Sequence, residues 1–155
     1  MTKRITKENY NGSPATRPDH ALTRRARNFA HLATVMSDGS PNSAPVWVGR
    51  EGDRIIVCTD DNSVKGKNTR RDPRVAISIV HVDDPYSEAQ LRGRVTERRR
   101  DSDFKYIDAV SHKYVGKAWP YREEVPVALV IEIDKAHYSK QPFEHTPSPA
   151  VKKPA

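Results

Sequence analysis

The segment best suited to bind an anionic ligand lies between two apolar runs that read as β-strands, at 55–58 and 75–80. A helix is predicted to begin within this segment. The predicted helix begins near Ser63. Its first turns contain four polar residues: Ser63, Lys65, Lys67 and Asn68. The first turn of a helix offers unpaired N–H groups and the positive end of the dipole, and lysines add positive charge. This combination is typical of a phosphate site, although a solvated basic helix linking two strands is the alternative interpretation.

Other kinds of catalytic or metal site are not indicated. No two of the six histidines have metal-ligand spacing on one predicted element, so no metal site is expected. The sequence contains no G-x-S-x-G elbow, G-x-G-x-x-G fingerprint or Walker loop, which argues against a hydrolase triad, a Rossmann site and a P-loop. Cys58 lies in an apolar run without a basic neighbour and is expected to be a buried, inert thiol. Hydride transfer remains possible, because a cofactor can supply that chemistry.

The charge balance indicates an acidic partner or simple solubility. The chain has 27 lysine and arginine residues against 20 aspartate and glutamate residues, a net charge of +7. Nucleic acid is not favoured, because aromatic residues make up only 7% of the chain and no recognition motif occurs. A phosphorylated or polycarboxylate small molecule would use the same positive charge.

Length and composition predict one domain in 155 residues. The single cysteine excludes an internal disulfide. A hydrophobic content of 35% gives a modest core, which favours burial of further surface in an oligomer. No apolar run is long enough to span a membrane, and the first residues lack an apolar signal core, so a cytoplasmic location is expected by default.

The elements that would position the basic helix are mostly strands. Six strands are predicted, at 29–37, 43–50, 54–59, 74–82, 86–98 and 127–133. Short helices are predicted after Asp19, at Ser63 and after Asp101. Because no βαβ alternation occurs, the prediction is an antiparallel barrel of the α+β class. Residues 1–18 are expected to be a flexible arm, 19–140 the folded domain, and 141–155 a disordered tail rich in proline and lysine.

Four sequence blocks, in order, resemble the flavin-binding split barrels, the pyridoxamine-phosphate-oxidase-like proteins, and especially their deazaflavin-dependent branch. They are L-A-T-V-x-x-D-G-S-P-N-S-A-P-V-W-V at 32–48, S-x-K-x-x-N at 63–68 followed by R-R-D-P-R at 70–74, Q-L-R-G-R-V at 90–95, and V-A-L-V-I-E-I at 127–133. Together they cover roughly residues 21–138. The resemblance implies a mainly β, six-stranded antiparallel split β-barrel with short flanking helices, which forms a homodimer with the cofactor site at the interface.

The resemblance also implies which residues contact the cofactor. They come from the second strand, the end of the third strand and the basic helix: Asn42, Ser43, Ala44, Pro45, Val46, Trp47, Cys58, Thr59, Ser63, Lys65, Lys67 and Asn68. Lys65 matches the family's phosphate-binding lysine, and Glu88 or Gln90 would be contributed across the dimer interface. Trp47, Trp119 and Tyr121 could line the substrate side, or could be ordinary core or interface packing.

The resemblance favours coenzyme F420 over FMN as the cofactor. Many FMN-binding relatives have an arginine just before the phosphate lysine, where this chain has Val64. Three arginines, at 24, 25 and 27, would suit the phosphodiester and polyglutamate tail of F420. The predicted function is hydride transfer between this deazaflavin and a small organic substrate. The alternatives are an FMN-dependent oxidase or reductase of the same fold, a haem-degrading or cofactor-carrying relative, and a basic nucleic-acid-binding module.

Overall fold

The structure, a computed structural model, describes residues 5–6, 22–150 and 154 of the chain. Eight strands lie within these residues: β1 (Ile5–Thr6), β2 (Ala30–Val35), β3 (Pro41–Val46), β4 (Gly49–Glu51), β5 (Arg54–Thr59), β6 (Arg74–Val80), β7 (Ser87–Arg100) and β8 (Val127–Lys140). Two helices accompany them: α1 (Val64–Arg71) and α2 (Lys105–Val115). Residues 22–24 are also helical. The predicted α+β class with a mainly β composition is confirmed.

All eight strands belong to one sheet in which every pair is antiparallel. The strands follow the order β3-β2-β6-β7-β8-β5-β4, and β1 pairs with β8 outside this path. In the part of the chain that the structure describes, the terminal strands β3 and β4 do not pair with each other, so the sheet is not closed into a barrel.

The structure has two strands more than the predicted six. One predicted strand forms two separate strands, and β1 was not predicted. The predicted strand at 43–50 is divided at residues 47–48, where the chain leaves β2 as its partner and joins β5. The backbone N–H and carbonyl of Val48 form hydrogen bonds with side chains of helix α2 instead of with a neighbouring strand. Its N–H donates to Tyr114 Oη at 3.2 Å, and its carbonyl accepts from Lys113 Nζ at 2.5 Å. The eighth strand, β1, falls in the segment predicted to be a flexible arm.

Strand β8 is apolar without interruption over 127–131 because both of its faces are covered. Leu129 and Ile131 belong to the main core between the sheet's curved halves, together with Leu32, Ile77 and Leu91. Val130 and Ala128 form a second cluster with Ile56, against which Cys58 and Tyr106 pack. The placement of this segment at the centre of the fold was therefore predictable from its composition.

Helix α2 begins and ends with recognisable signals. The carboxylate of Asp101 accepts hydrogen bonds from the backbone N–H groups of Tyr106 (3.2 Å) and Ile107 (2.9 Å), so the aspartate predicted to start this helix satisfies its first turn. The helix ends at Gly116, whose φ of 72° lies in the left-handed region that glycine adopts without strain. Ile107, Val110, Ser111 and Tyr114 form its buried face.

The chain ends can be described only in part. The arm predicted at 1–18 lies outside the described residues apart from β1, and so does most of 151–155. Residues 141–150 contain no helix or strand, but Phe143 packs its ring against Tyr86 at a centroid distance of 5.3 Å. None of the described helices is long and apolar enough to cross a membrane.

Candidate functional site

The turn between β5 and α1 is ordered by its own side chains. Ser63 is the N-cap residue, with φ −62° and ψ 163°, and its hydroxyl accepts a hydrogen bond from the backbone N–H of Gly66 at 3.1 Å. The same hydroxyl lies 2.9 Å from Thr59 Oγ1. The predicted helix start at Ser63 is therefore confirmed. The first turn of α1 contains no acidic residue, although Asp60 and Asp61 lie in the turn that precedes it.

Helix α1 also packs unusually close to the turn that precedes it. A Cβ atom at Gly66 would lie only 2.6 Å from the carbonyl oxygens of Asp60 and Asp61, so glycine is required for this approach. Arg98 of β7 reinforces the contact. It donates to Asp61 Oδ1 at 2.6 Å and to the Gly66 carbonyl at 3.0 Å, and this hydrogen bond lowers the pKa of Asp61. The helix start is thus fixed to the sheet.

An open cavity of about 610 Å³ lies beside this turn. Its lining comes from β3, β5, α1, α2, the segment after α2 and three residues next to strands β2, β3 and β5. The lining residues are Phe29, Pro45, Val46, Trp47, Cys58, Thr59, Asp60, Lys65, Ile107, Val110, Trp119, Tyr121, Glu124, Val125 and Pro126. Lys65 is half-buried, and no described residue forms a salt bridge with it. The cavity therefore combines an apolar, aromatic surface with one cationic group near a helix start.

One side of the cavity is built from aromatic rings. Trp47 stacks on Tyr114 with a centroid distance of 5.1 Å and an interplanar angle of 5°. Trp119 meets Trp47 edge to face at 6.1 Å, and Tyr121 meets Trp119 at 5.2 Å. Trp119 and Tyr121 lie on the segment 117–126, which contains no helix or strand. We call this segment the aromatic wall.

Asp108 of α2 holds the aromatic wall in place. Its Oδ1 accepts the backbone N–H of Trp119 at 2.9 Å, and the same carboxylate pairs with Arg122 at 2.9 Å. Burial raises the pKa of Asp108, but the hydrogen bonds from Arg122 and Trp119 outweigh this and lower it overall. Arg122 also lies over the ring of Phe104 at 4.5 Å from its centroid.

Cys58 lines the cavity but is not poised as a nucleophile. Burial, with a further contribution from the negative charge of Asp101, raises the pKa of its thiol to about 12. The thiol therefore remains protonated at neutral pH. It contributes a small, polarisable surface to the cavity floor.

The structure brings half of the sequence-derived site residues to this cavity. The six that line it are Pro45, Val46, Trp47, Cys58, Thr59 and Lys65. Ser63 stands next to the cavity as the helix cap, and Lys67 is exposed on the same helix. Asn42 and Ala44 are half-buried in β3, where they pair with Thr34 and Leu32.

Asn68 lies on the face of α1 that is turned away from the cavity. It is 3% exposed, and its amide donates to Thr34 Oγ1 at 3.0 Å and to Met36 Sδ at 3.1 Å. Its Oδ1 accepts from Arg71 at 2.8 Å. These contacts fasten α1 to β2, so the asparagine of the K-x-x-N pattern has a full set of internal partners.

Several lining residues escaped the sequence reasoning. They are Phe29, Asp60, Ile107, Val110, Glu124, Val125 and Pro126. Ile107 and Val110 had a detectable signal, since the helical period placed both on the buried face of α2. Trp47, Trp119 and Tyr121, the aromatic residues named as candidates for the substrate side, all line this cavity. Glu124, Val125 and Pro126 had no signal in the sequence, because an irregular segment has no period that reveals which way it folds.

A second cavity, of about 680 Å³, lies on the exposed face of the sheet formed by β2, β3, β6, β7 and β8. Its floor includes a row of small residues in register across three strands, Ser43, Ala33 and Ala76. Ser43 thus belongs to this face and not to the first cavity. The two cavities adjoin, because Pro45 lines the first and pairs with His31, which lines the second.

The residues of the first cavity fit a planar, phosphate-bearing cofactor. The positive end of α1, the Thr59 hydroxyl and Lys65 are groups that could bind a phosphate, and the aromatic rings provide an apolar surface against which a ring system could pack. By contrast, no group of three or more His, Cys, Asp or Glu residues that could hold a metal ion occurs in the described part of the chain.

Comparison with solved structures places this architecture among known folds. An F420 reductase superimposes with a TM-score of 0.69 at 24% identity, covering 75% of this chain and 93% of that one. General Stress Protein 26 from Bacillus anthracis superimposes with a TM-score of 0.62 at 20% identity, covering 79% of this chain and 91% of that one. A heme binding protein from Mycobacterium smegmatis superimposes with a TM-score of 0.57 at 21% identity, covering 83% of this chain and 55% of that one. At these identities the matches establish a shared fold.

Sequence comparison identifies the family. No curated protein matches the chain significantly. The pyridoxamine 5'-phosphate oxidase family, however, matches residues 17–141, which is most of the 155-residue sequence and includes every residue lining the first cavity. The chain belongs to the pyridoxamine 5'-phosphate oxidase family.

Proposed function

We propose that this chain is an oxidoreductase that binds coenzyme F420 in the first cavity and transfers a hydride between this deazaflavin and a small organic substrate. The observation that carries the proposal is the position of Lys65. It lies half-buried at one end of an aromatic cavity, beside the start of α1, and no described residue forms a salt bridge with it. A cation held in this way has an anionic ligand as its natural partner.

The protein's part in the reaction is to bind the cofactor and the substrate and to orient them. When bound, the deazaflavin supplies the hydride. Lys65, Thr59 and the first turn of α1 hold its phosphate, while Trp47 and the aromatic wall flank the ring system. Cys58 remains a neutral thiol at the cavity floor, so it adds no nucleophile that would compete with hydride transfer.

F420 is favoured over FMN by three observations. Val64 is 51% exposed at the position where FMN-binding relatives have an arginine, so the phosphate would be held by fewer side chains. A protein of this fold with the name F420 reductase is also among the structural neighbours. Exposed Arg24 and Arg25 would suit the polyglutamate tail of F420. An FMN-dependent oxidase or reductase is the alternative within the same fold.

The other two alternatives have weaker support. Haem iron is held by a histidine, a cysteine thiolate, a methionine or a tyrosine. Among the described residues that line the first cavity there is no histidine or methionine, the Cys58 thiol is protonated, and the one tyrosine, Tyr121, is 63% exposed. For nucleic acid, much of the positive charge is already paired with carboxylates, including that of Arg54, Arg70, Arg74, Arg94, Arg98, Arg99 and Arg122. This pairing reduces the charge available to phosphates along a strand.

The proposal includes a homodimer that forms through the exposed sheet face. Small side chains at Ala33, Ser43 and Ala76 would let a second sheet approach closely, and Pro45 connects this face to the first cavity. Light scattering during gel filtration tests it. Ala76→Arg should yield a monomer, whereas Ala109→Arg on the exposed side of α2 should remain a dimer. A monomeric native chain at micromolar concentration would contradict this part of the proposal.

The cofactor is tested by fluorescence titration with F420, tailless deazaflavin and FMN. Lys65→Ala should weaken F420 binding by roughly ten- to a hundred-fold, as expected for loss of a hydrogen bond to a charged group. The matched control is Lys67→Ala, an exposed lysine on the same helix that does not line the cavity. Equal F420 affinity for native protein and Lys65→Ala would remove the phosphate-anchor argument. Tight FMN binding without F420 binding would overturn the choice of cofactor.

A further inference from the structure

The second cavity differs from the first in its charge. Its lining contains two basic side chains, Arg92 and Lys135, and two histidines, His31 and His137. Among the twelve described residues that line it there is no aspartate or glutamate. Its volume of about 680 Å³ lies within the range of small-molecule sites, roughly 300–1,000 Å³. The chemical character of this cavity therefore favours an anionic ligand.

Arg92 and Lys135 are placed where their charges repel each other. They lie directly opposite each other on β7 and β8, and both side chains are exposed. Like charges in this arrangement destabilise a sheet. Among the described residues neither of them forms a salt bridge, whereas Arg94, two residues further along β7, pairs with Glu132 and Asp134. The described part of the chain thus holds two adjacent cations for which it supplies no counterion.

The remainder of the cavity leaves room for a ligand beside these cations. The row that continues from Arg92 across the sheet contains small side chains: Ala76, Ala33 and Ser43. The next carboxylate towards the start of β7 is that of Glu88, which does not line the cavity and accepts a hydrogen bond from the Gln90 amide at 3.2 Å. An anion can therefore lie over this floor of small side chains, within reach of both cations.

We propose that the second cavity binds a small multivalent oxyanion, a molecule with two or more carboxylate or phosphate groups, and that Arg92 and Lys135 hold it. A guanidinium can bind two oxygens of one such group, and a lysine ammonium adds a point charge. Because neighbouring strands lie only about 4.8 Å apart, the two cations together match a multivalent anion better than a monovalent one.

This anion also has a role in the proposed homodimer, which packs the same sheet face against a second copy. Each copy brings its own Arg92 and Lys135 to that interface, and like charges facing each other oppose association. An anion bound between the copies offsets this repulsion. Only this bridging role rests on the proposed function, because the binding site itself lies within one chain.

Calorimetric titration of the full chain with tripolyphosphate, triglutamate and acetate tests the site. Native protein should bind at least one of the two multivalent probes and should not bind acetate at the same concentrations. Arg92→Gln and Lys135→Gln should each weaken this binding by roughly three- to tenfold, as expected for the loss of one exposed charge contact. The matched control is Arg100→Gln, an exposed arginine of the same strand that lines neither cavity.

The titrations are repeated in Lys65→Ala, which removes the cation of the first cavity. Affinity for the multivalent probe should be retained in this variant, because the second cavity is unchanged. If Lys65→Ala abolishes binding while Arg92→Gln and Lys135→Gln bind like native protein, the site is wrong. Binding of a glutamate decapeptide without either short probe would assign the face to an acidic protein segment and would also overturn the proposal.

Light scattering at constant ionic strength tests the bridging role. Tripolyphosphate should lower the dimer dissociation constant of native protein, and it should have little effect on Arg92→Gln. If tripolyphosphate dissociates the dimer, or if the native chain is monomeric with and without it, the bridging role is overturned and calorimetry alone decides the site.

The two proposals fail in different ways, because these measurements do not use F420. If neither F420 nor FMN binds while tripolyphosphate or triglutamate shows the expected pattern, the anion site is supported and the proposed function is overturned. If F420 binds as proposed and neither multivalent probe distinguishes native protein from Arg92→Gln and Lys135→Gln, the anion site is overturned and the proposed function stands.

Discussion

The two sides of the first cavity are fixed by different means. On one side, the start of α1 is held by regular structure, by the Ser63 cap, and by Gly66 and Arg98 in close contact with the preceding turn. On the other side, the aromatic wall has no regular structure. It is held by the Asp108 carboxylate, by the contact of Trp119 with Trp47, and by the Pro126 carbonyl, which accepts from the backbone N–H of Asp101 at 2.9 Å. We infer that the first side is preorganised for one constant ligand group. The second side can vary with little effect on the rest of the fold.

This comparison predicts that substitutions in α1 change the stability of the whole domain, whereas substitutions in the wall change binding selectivity. Four experiments test it, in order of decreasing expected effect.

Asn68→Ala should give the largest loss of stability. The substitution removes three hydrogen bonds from a buried site and leaves Thr34 Oγ1 and Arg71 without this partner. We expect the free energy of unfolding in urea to fall by about 2 kcal/mol, within the range for leaving buried polar groups unsatisfied. F420 affinity of the folded variant should change by less than about twofold. A large loss of affinity with unchanged stability would instead make Asn68 a cofactor ligand, as the family resemblance implied.

Gly66→Ala should also destabilise the protein, although alanine normally favours a helix over glycine. The new methyl group would lie 2.6 Å from two backbone carbonyl oxygens, so the start of α1 must shift. We expect a loss of about 1–2 kcal/mol, typical of overpacking, together with weaker F420 binding. Lys67→Ala on the same helix is the control and should be nearly neutral. Stabilisation by Gly66→Ala would show that the turn can move freely.

Lys113, whose ammonium group donates to the Val48 carbonyl next to Trp47, should make the stability of the protein depend on pH. Burial, and then the nearby charge of Arg50, lower the pKa of Lys113 from 10.5 to about 8 in the folded protein. Between these two values the unfolded chain binds more protons, so stability rises with pH across this window. In Lys113→Met this contribution is absent. Melting temperatures measured from pH 7 to 10.5 should therefore show the native protein gaining relative to the variant, and a constant difference would contradict the shift.

Tyr121→Ala should have the smallest effect on stability. The side chain is 63% exposed, so we expect a change within about 0.5 kcal/mol. F420 binding should weaken by about threefold, because one ring of the wall is removed. Tyr121→Phe retains the ring and should bind F420 like the native protein. If the alanine variant instead unfolds several degrees earlier, the wall contributes to the core and the contrast between the two sides is wrong.

Much of the fold was determined by local patterns in the sequence. The apolar run at 127–133 predicted a strand, which the structure buries on both faces over 127–131, and Ser63 marked the start of α1. Such features follow from side-chain periodicity and capping, which involve residues close together in the chain. The family resemblance placed Thr59 and Lys65 at the same site, and the structure brings both to one cavity.

Tertiary structure alone decided which polar atoms are satisfied and where the irregular segments lie. Asn68 bonds to Thr34 across 34 residues of sequence, and Lys113 divides a predicted strand by bonding to Val48 across 65. No local pattern encodes these partners, because they are chosen by the packing of distant elements. The aromatic wall is the clearest case. Its sequence specifies two aromatic rings and two carboxylates, but contacts with distant residues, that with Asp108 on α2 among them, decide which of these side chains reach the cavity.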